Sequence, residues 1–154
     1  MTEATWLAEA IVRTVHGPMW HGPSLGDLLS DVGPEQASTR AVPAAHSIWE
    51  LVLHITTWAD VPRARLAGDP RKNIRPEEDW PPPPHPSGTA WTEAVRRLDA
   101  SYRALATDVA ALSDGALEGS VPGHHYSVRE MLHGVIEHGT YHGGQIALLK
   151  KAAG

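Results

Sequence analysis

The amino-acid sequence predicts an all-α fold: a four-helix bundle with one long crossover connection. Apolar residues recur three and four positions apart in four long stretches. Two of these stretches open with capping-box signatures, at residues 47–50 and 127–130. The proline-rich residues 68–88 separate the second stretch from the third. In a bundle, a connection of this length can carry the chain from one end to the other, so that the flanking helices run parallel.

The elements of the first third are short. A helix is predicted over residues 5–16, and the Gly-Pro pair at residues 17–18 ends it. Ser24 is expected to cap a short helix that continues to residue 29. A helical turn is also expected after Pro34. No stretch of the chain shows the alternating pattern of a strand.

The remaining long helices are predicted over residues 48–66, 89–112 and 127–151. Pro62 falls inside the first of these, so its last turns are expected to be kinked or re-started. Residues 113–126 are polar and rich in turn formers, and they are expected to form a loop. Together these elements predict a single domain that spans residues 1–154.

Composition excludes several classes of function. The net charge is −5, and the 13 Lys and Arg residues form no run longer than two, so a nucleic-acid partner is not expected. There is no cysteine, which excludes disulfides, thiolate ligands and a protein thiol nucleophile. No apolar run is long enough to cross a membrane, and the N-terminus lacks the pattern of a signal peptide. A cytoplasmic protein without a membrane partner is therefore expected.

Two histidines on the last predicted helix are candidate metal ligands. His138 and His142 are four residues apart, which places both imidazoles on one helix face. Alone, this spacing also fits two neutral histidines on a polar face. Val135, Ile146 and Leu149 lie on or beside the same face, so the pair is expected to point inward. A buried imidazole needs a hydrogen-bond partner or a metal.

A third histidine completes the candidate site. His54 shares the apolar face of its helix with Leu51 and Trp58. Three inward histidines on two helices suit one divalent ion with an open coordination position, which is the arrangement of catalytic rather than structural zinc sites. The pattern is not that of a zincin, because Glu137 precedes His138 instead of following it.

Three segments carry a resemblance to a known family: residues 20–25 (WHGPSL), 46–55 (HSIWELVLHI) and 126–146 (YSVREMLHGVIEHGTYHGGQI). The sequence resembles the DinB-like/YfiT-like superfamily of metal-dependent enzymes over nearly its whole length. The resemblance implies a four-helix bundle with a long crossover, a bound divalent ion, usually zinc or nickel, and a homodimer. It also places His54, His138 and His142 on the family's ligand positions.

Several functions remain open at this point. An open metal site that activates water would make the protein a hydrolase of a small-molecule substrate. The resemblance also implies a transferase that uses a low-molecular-weight thiol, such as bacillithiol, mycothiol or glutathione. The alternative is a non-catalytic metal-binding or stress-response protein whose ion is structural or stored. A further alternative is that the histidines only pack.

Other residues are candidates for supporting roles. Glu50, four residues before His54, can orient that ligand or act as a base, but its role in the capping box is favoured. Gln145 can orient His142 or touch substrate, and it can equally link two helices. Tyr141 can donate to a substrate oxygen. Four further histidines are weaker candidates for the rim of a pocket: His46, His124, His125 and His133.

Overall fold

The structure of the protein is a computed structural model that describes residues 1–153. These residues contain no strand, only two isolated bridges, so the predicted all-α class is confirmed. Eight helices lie along this part of the chain: α1 Glu3–His16, α2 Leu25–Leu29, α3 Pro34–Ser38, α4 Ile48–Leu66, α5 Pro76–Asp79, α6 Gly88–Ala110, α7 Asp114–Leu117 and α8 Val128–Ala153.

The four long helices, α1, α4, α6 and α8, begin and end within about two residues of their predicted bounds. The re-start expected at Pro62 does not occur, because α4 is unbroken to Leu66. Proline removes one backbone donor from a helix. Here the turns around it bury Val61, Pro62 and Arg65, and this packing holds the helix together.

The two shortest helices, α5 and α7, were not predicted. α5 begins with Pro76 at its first turn, and the Glu78 carboxylate accepts from the backbone N–H of Arg75. α7 is capped by the Ser113 hydroxyl, which accepts from the N–H of Ala116. Each helix has only four residues, which is too short for an apolar period to appear in the sequence.

Contacts at both ends of the helices fix their directions. α6 packs against α1 and α4, and α8 packs against the same two helices. Trp49 of α4 lies beside Trp91 of α6, with ring centroids 5.1 Å apart. Towards the other end of the same helices, Arg63 donates to Asp108 over 2.7 Å. α4 and α6 therefore run parallel, as a crossover connection between them requires.

α8 runs antiparallel to α4 and parallel to α1. The Arg129 guanidinium at the start of α8 donates to Glu3 at the start of α1, over 2.6 Å. Arg65 in the last turn of α4 donates to the Tyr126 hydroxyl just before α8, over 2.8 Å. The middle of α4 is consequently opposite the middle of α8.

A glycine allows α8 to lie close to its neighbours. A Cβ atom at Gly139 would lie 2.6 Å from Cγ2 of Thr14 and 2.7 Å from the hydroxyl oxygen of Tyr102. Both of those residues are buried, so they have little room to move. Gly144, on the same helix, is exposed and has no neighbour within 4 Å of such an atom.

We expect Gly139→Ala to lower the free energy of unfolding by about 1–3 kcal/mol, because the added methyl overpacks the contact with α1 and α6. The matched control is Gly144→Ala, which should raise it by about 0.5–1 kcal/mol, since alanine is the better helix former. Urea unfolding of the two variants beside wild type checks both signs. A Gly139→Ala protein as stable as Gly144→Ala would show that α8 is not packed this closely.

Candidate metal centre

The predicted histidines meet between α4 and α8. Nε2 of His138 lies 3.0 Å from Nε2 of His54 and 3.1 Å from Nε2 of His142. One ring nitrogen from each of the three lies within 4.8 Å of the others, so the cluster can hold a metal ion. Tetrahedral zinc with bonds of 2.0–2.1 Å separates neighbouring nitrogens by about 3.3 Å. The spacing therefore fits a single ion.

Hydrogen bonds set the tautomers of two of the imidazoles. Nδ1 of His54 lies 2.7 Å from the backbone oxygen of Asp79, and Nδ1 of His142 lies 2.6 Å from Oε1 of Gln145. Both acceptors are oxygens, so each Nδ1 carries the proton and each Nε2 presents a lone pair. Nδ1 of His138 is buried without a hydrogen-bond partner among residues 1–153. The Nε2 atoms of His54 and His142 are both acceptors, and Nε2 of His138 carries at most one proton to donate. Hydrogen bonds among the three nitrogens therefore cannot satisfy all of them.

Asp79 lies behind His54 and comes from the crossover connection. Its Oδ1 atom lies 3.1 Å from Nδ1 of His54 and accepts from the indole N–H of Trp58 over 2.7 Å. Asp79 thus contacts His54 through both its backbone and its side chain. A carboxylate behind a metal-binding histidine fixes the ring and raises its basicity.

Trp80 covers the same histidine. Its ring is parallel to that of His54 within 3°, with centroids 3.8 Å apart, and it also stacks on His46 at 3.6 Å. The indole therefore excludes water from one face of His54. His54 and His142 are only 6% and 7% exposed.

Burial governs the titration of the cluster. It lowers the pKa of His54 and of His142, although Asp79 and Gln145 respectively oppose the effect through hydrogen bonds. Burial, followed by the proximity of His142 and His54, lowers the pKa of His138 to about 3. The three imidazoles are therefore neutral near pH 7 and can act as ligands without losing a proton.

A cavity of about 650 Å³ opens onto the three histidines. Its walls between α4 and α8 are largely apolar and include Trp58, Pro62, Met131 and Val135. The end of the cavity away from the histidines is lined by Arg65, Tyr126 and Glu130. This volume is in the range of small-molecule sites. A larger depression of about 1080 Å³ lies between α4 and α6, but no histidine lines it.

The residues predicted to support the site lie in different parts of the structure. Gln145 accepts from His142, and its amide lies 3.3 Å from the hydroxyl of Tyr141, which lines the cavity. Glu50 accepts from the backbone N–H of Ser47 in a capping box and pairs with Arg40, so it is occupied at the start of α4. The four weaker candidates do not line the cavity, although one of them stacks on Trp80: His46, His124, His125 and His133.

Three residues of the site were missed by the sequence reasoning. Asp79 and Trp80 end a short acidic run before the prolines, and Arg65 is one of several arginines near the end of α4. The position of Arg65, eleven residues after His54, is a usable signal because it places both side chains on one helix face. Asp79 and Trp80 lie in a connection and have no periodicity to place them.

Comparison with known sequences identifies the family of the chain. A sequence model of the DinB superfamily matches residues 23–146. The chain belongs to the DinB superfamily. The matched range includes the three histidines as well as Asp79 and Arg65. No curated protein and no solved structure matches the chain. Within residues 1–153 of this superfamily member, no helix is both long and apolar enough to cross a bilayer.

The lowered pKa of His138 predicts acid sensitivity of the metal-free protein. Unfolded histidine titrates near pH 6.5 and folded His138 near 3, so between these values the unfolded state binds more protons. The free energy of unfolding should therefore fall as the pH is lowered from about 6.5 towards 3. Urea unfolding in the presence of a chelator, at pH 6.5 and at pH 5, measures this loss.

His138→Leu should reduce that loss, because leucine cannot take up a proton in either state. The control is His125→Leu, at an exposed position outside the cavity. Its free energy of unfolding should fall between pH 6.5 and pH 5 by as much as that of wild type. The same pH dependence in wild type and His138→Leu would contradict this electrostatic description of the cluster.

Proposed function

We propose that this protein is a metal-dependent enzyme in which His54, His138 and His142 hold one zinc or nickel ion. The observation that carries the proposal is the convergence of three Nε2 atoms, two of them fixed as acceptors by Asp79 and Gln145. An ion with only these three protein ligands would keep a coordination position open, and the three histidines line the cavity. A divalent ion held there supplies Lewis-acid polarisation and lowers the pKa of a nucleophile.

The cavity favours transfer of a small thiol over hydrolysis. Two carboxylates line it, and one oxygen of each is held by hydrogen bonds: Oδ1 of Asp79 accepts from Trp58, and Oε2 of Glu130 accepts from the backbone N–H and hydroxyl of Ser127. The bonds from Ser127 lower the pKa of Glu130, which makes it a weaker base. Hydrolysis needs a base for water, whereas a thiol ionises readily beside a cation. The chain has no cysteine, so the thiol must be a small molecule. In this reaction the thiol proton passes to solvent, and a carbon–sulfur bond forms as the bond to the leaving group breaks.

Hydrolysis is the second candidate. It is favoured by the position of Tyr141, whose hydroxyl lies at the cavity and accepts from Gln145 while its own proton remains available to a substrate oxygen. Turnover of model esters and of electrophiles with added thiol, both with the metal-loaded protein, separates the two reactions.

Metal content tests the site directly. Wild type purified without tag or chelator should carry about one zinc or nickel ion per chain, measured by mass spectrometry. His54→Ala and His138→Ala should each weaken binding by about 100-fold or more, because each removes one of three ligands. The control is His133→Ala, on α8 but outside the cavity, which should retain the ion.

Circular dichroism of the same proteins distinguishes an enzyme from a structural metal protein. For the proposed enzyme, the helical signal of His54→Ala should remain close to that of wild type. Unfolding on metal loss would show that the ion is structural. A wild-type protein that takes up neither zinc nor nickel would overturn the proposal.

Asp79 should tune metal affinity without being a ligand. Asp79→Ala removes the carboxylate next to His54 and should weaken zinc binding by about 10-fold or more, as losses behind a ligand usually do. Competition with a zinc-binding dye measures the affinity. The matched control is Glu77→Ala in the same short helix, which removes a carboxylate that pairs with Arg75. Equal zinc affinities for the two variants would mean that the side chain of Asp79 does not support the site.

A further inference from the structure

The cavity contains a buried cation that has no counter-charge. Arg65 is 6% exposed. Its guanidinium donates from Nε to the backbone oxygen of Pro70 (3.3 Å), from Nη2 to that of Arg71 (3.0 Å) and from Nη1 to the hydroxyl of Tyr126 (2.8 Å). All three acceptors are neutral. Among residues 1–153, no carboxylate forms an ion pair with Arg65.

This arrangement leaves part of the guanidinium unsatisfied. A guanidinium has five N–H donors, and three of those of Arg65 are used by the protein. A buried charge is costly when no opposite charge is nearby. Arginine also presents pairs of N–H groups in a geometry that matches a carboxylate. The remaining donors therefore favour a planar anion as a ligand.

The cation and the histidines belong to one cavity. His54, Trp58, Pro62 and Arg65 recur along one face of α4, and all four line the cavity. The Arg65 guanidinium carbon lies 5.7 Å from the centre of the Trp58 ring, and that ring lies 6.1 Å from the ring of His138. One indole thus separates the cation from the candidate metal ligands. A molecule of a few carbon atoms can reach both.

The two carboxylates of the cavity do not neutralise Arg65. Asp79 contacts Trp58 and His54, at the histidine end. Glu130 is held by Ser127 at the start of α8. Neither forms an ion pair with the guanidinium, so its charge remains available to a ligand.

We infer that Arg65 is a specificity residue and that the substrate is a small carboxylate. The carboxylate binds the guanidinium of Arg65, the apolar body lies along Trp58 and Met131, and the far end reaches the three histidines. That this ligand is a substrate depends on the proposed function. The carboxylate site itself does not, because Arg65 needs no metal to bind an anion.

The test uses hexanoate and hexanamide, which have nearly the same shape and differ in charge. Both are titrated into the metal-free protein, so that a carboxylate cannot bind a metal ion instead. Hexanoate should bind at least about 10-fold more tightly than hexanamide, because its bond to the guanidinium is between two charges. Calorimetry measures the two affinities.

Methionine methyl signals report where the probe binds. The chain has three methionines, of which Met131 lines the cavity, whereas Met1 and Met19 do not. In protein labelled with 13C at the methionine methyl groups, hexanoate should shift the Met131 signal with the calorimetric affinity. The signals of Met1 and Met19 serve as internal controls and should stay in place.

Two variants, each of which removes one positive charge from α4, test whether Arg65 binds the carboxylate. Arg65→Met should remove the preference for hexanoate over hexanamide. Arg63→Met should retain it, because Arg63 lies on the same helix but pairs with Asp108 outside the cavity. If Arg65→Met does not fold, Arg65→Lys replaces it and should keep the preference in weaker form, since the charge remains without the paired donors.

Three results would overturn the inference: equal affinities for hexanoate and hexanamide in wild type, a Met131 signal that does not respond, or the same loss in Arg63→Met as in Arg65→Met. The proposed function fails by a different result, the absence of zinc or nickel uptake. A protein that binds zinc but shows no preference for the carboxylate would contradict this inference alone.

Discussion

The packing of α4 against α8 is the constraint on which the candidate site depends. The two helices are antiparallel, so residues in the middle of one face residues in the middle of the other. His54 therefore faces His138 and His142, and three turns further along α4 Arg65 faces Tyr126. A single helix interface thus sets the histidine end and the arginine end of the cavity together. A shift of α8 along its axis would disturb both.

Helical periodicity is why the fold and the three histidines could be predicted from the sequence. His54, His138 and His142 lie on the apolar faces of long helices. Such faces can be recognised in a sequence from the spacing of the apolar residues. The capping boxes fixed where α4 and α8 begin, and these starts determine which residues face inward. The parallel course of α4 and α6 followed from the length of the connection between them.

The residues around the histidines were not predictable in the same way. Asp79 and Trp80 lie in a connection, where the path depends on tertiary contacts rather than on a repeating pattern. The re-start expected at Pro62 is absent for a related reason: the packing of buried side chains around this residue outweighs the loss of one backbone hydrogen bond. Arg65 could be assigned to a helix face, but the absence of a carboxylate beside it is a property of the folded chain.

The crossover connection has two parts that differ in how firmly they are attached. Arg65 holds the backbone oxygens of Pro70 and Arg71, and Arg71 pairs with Glu78, so the chain is fastened to α4 up to Asp79. The following prolines, residues 81–84, form no such bonds with the helices. Insertions and deletions are consequently tolerated unequally over the two parts. We expect a change of length to be tolerated in the proline segment, whereas one residue gained or lost before Asp79 would draw its backbone oxygen away from His54.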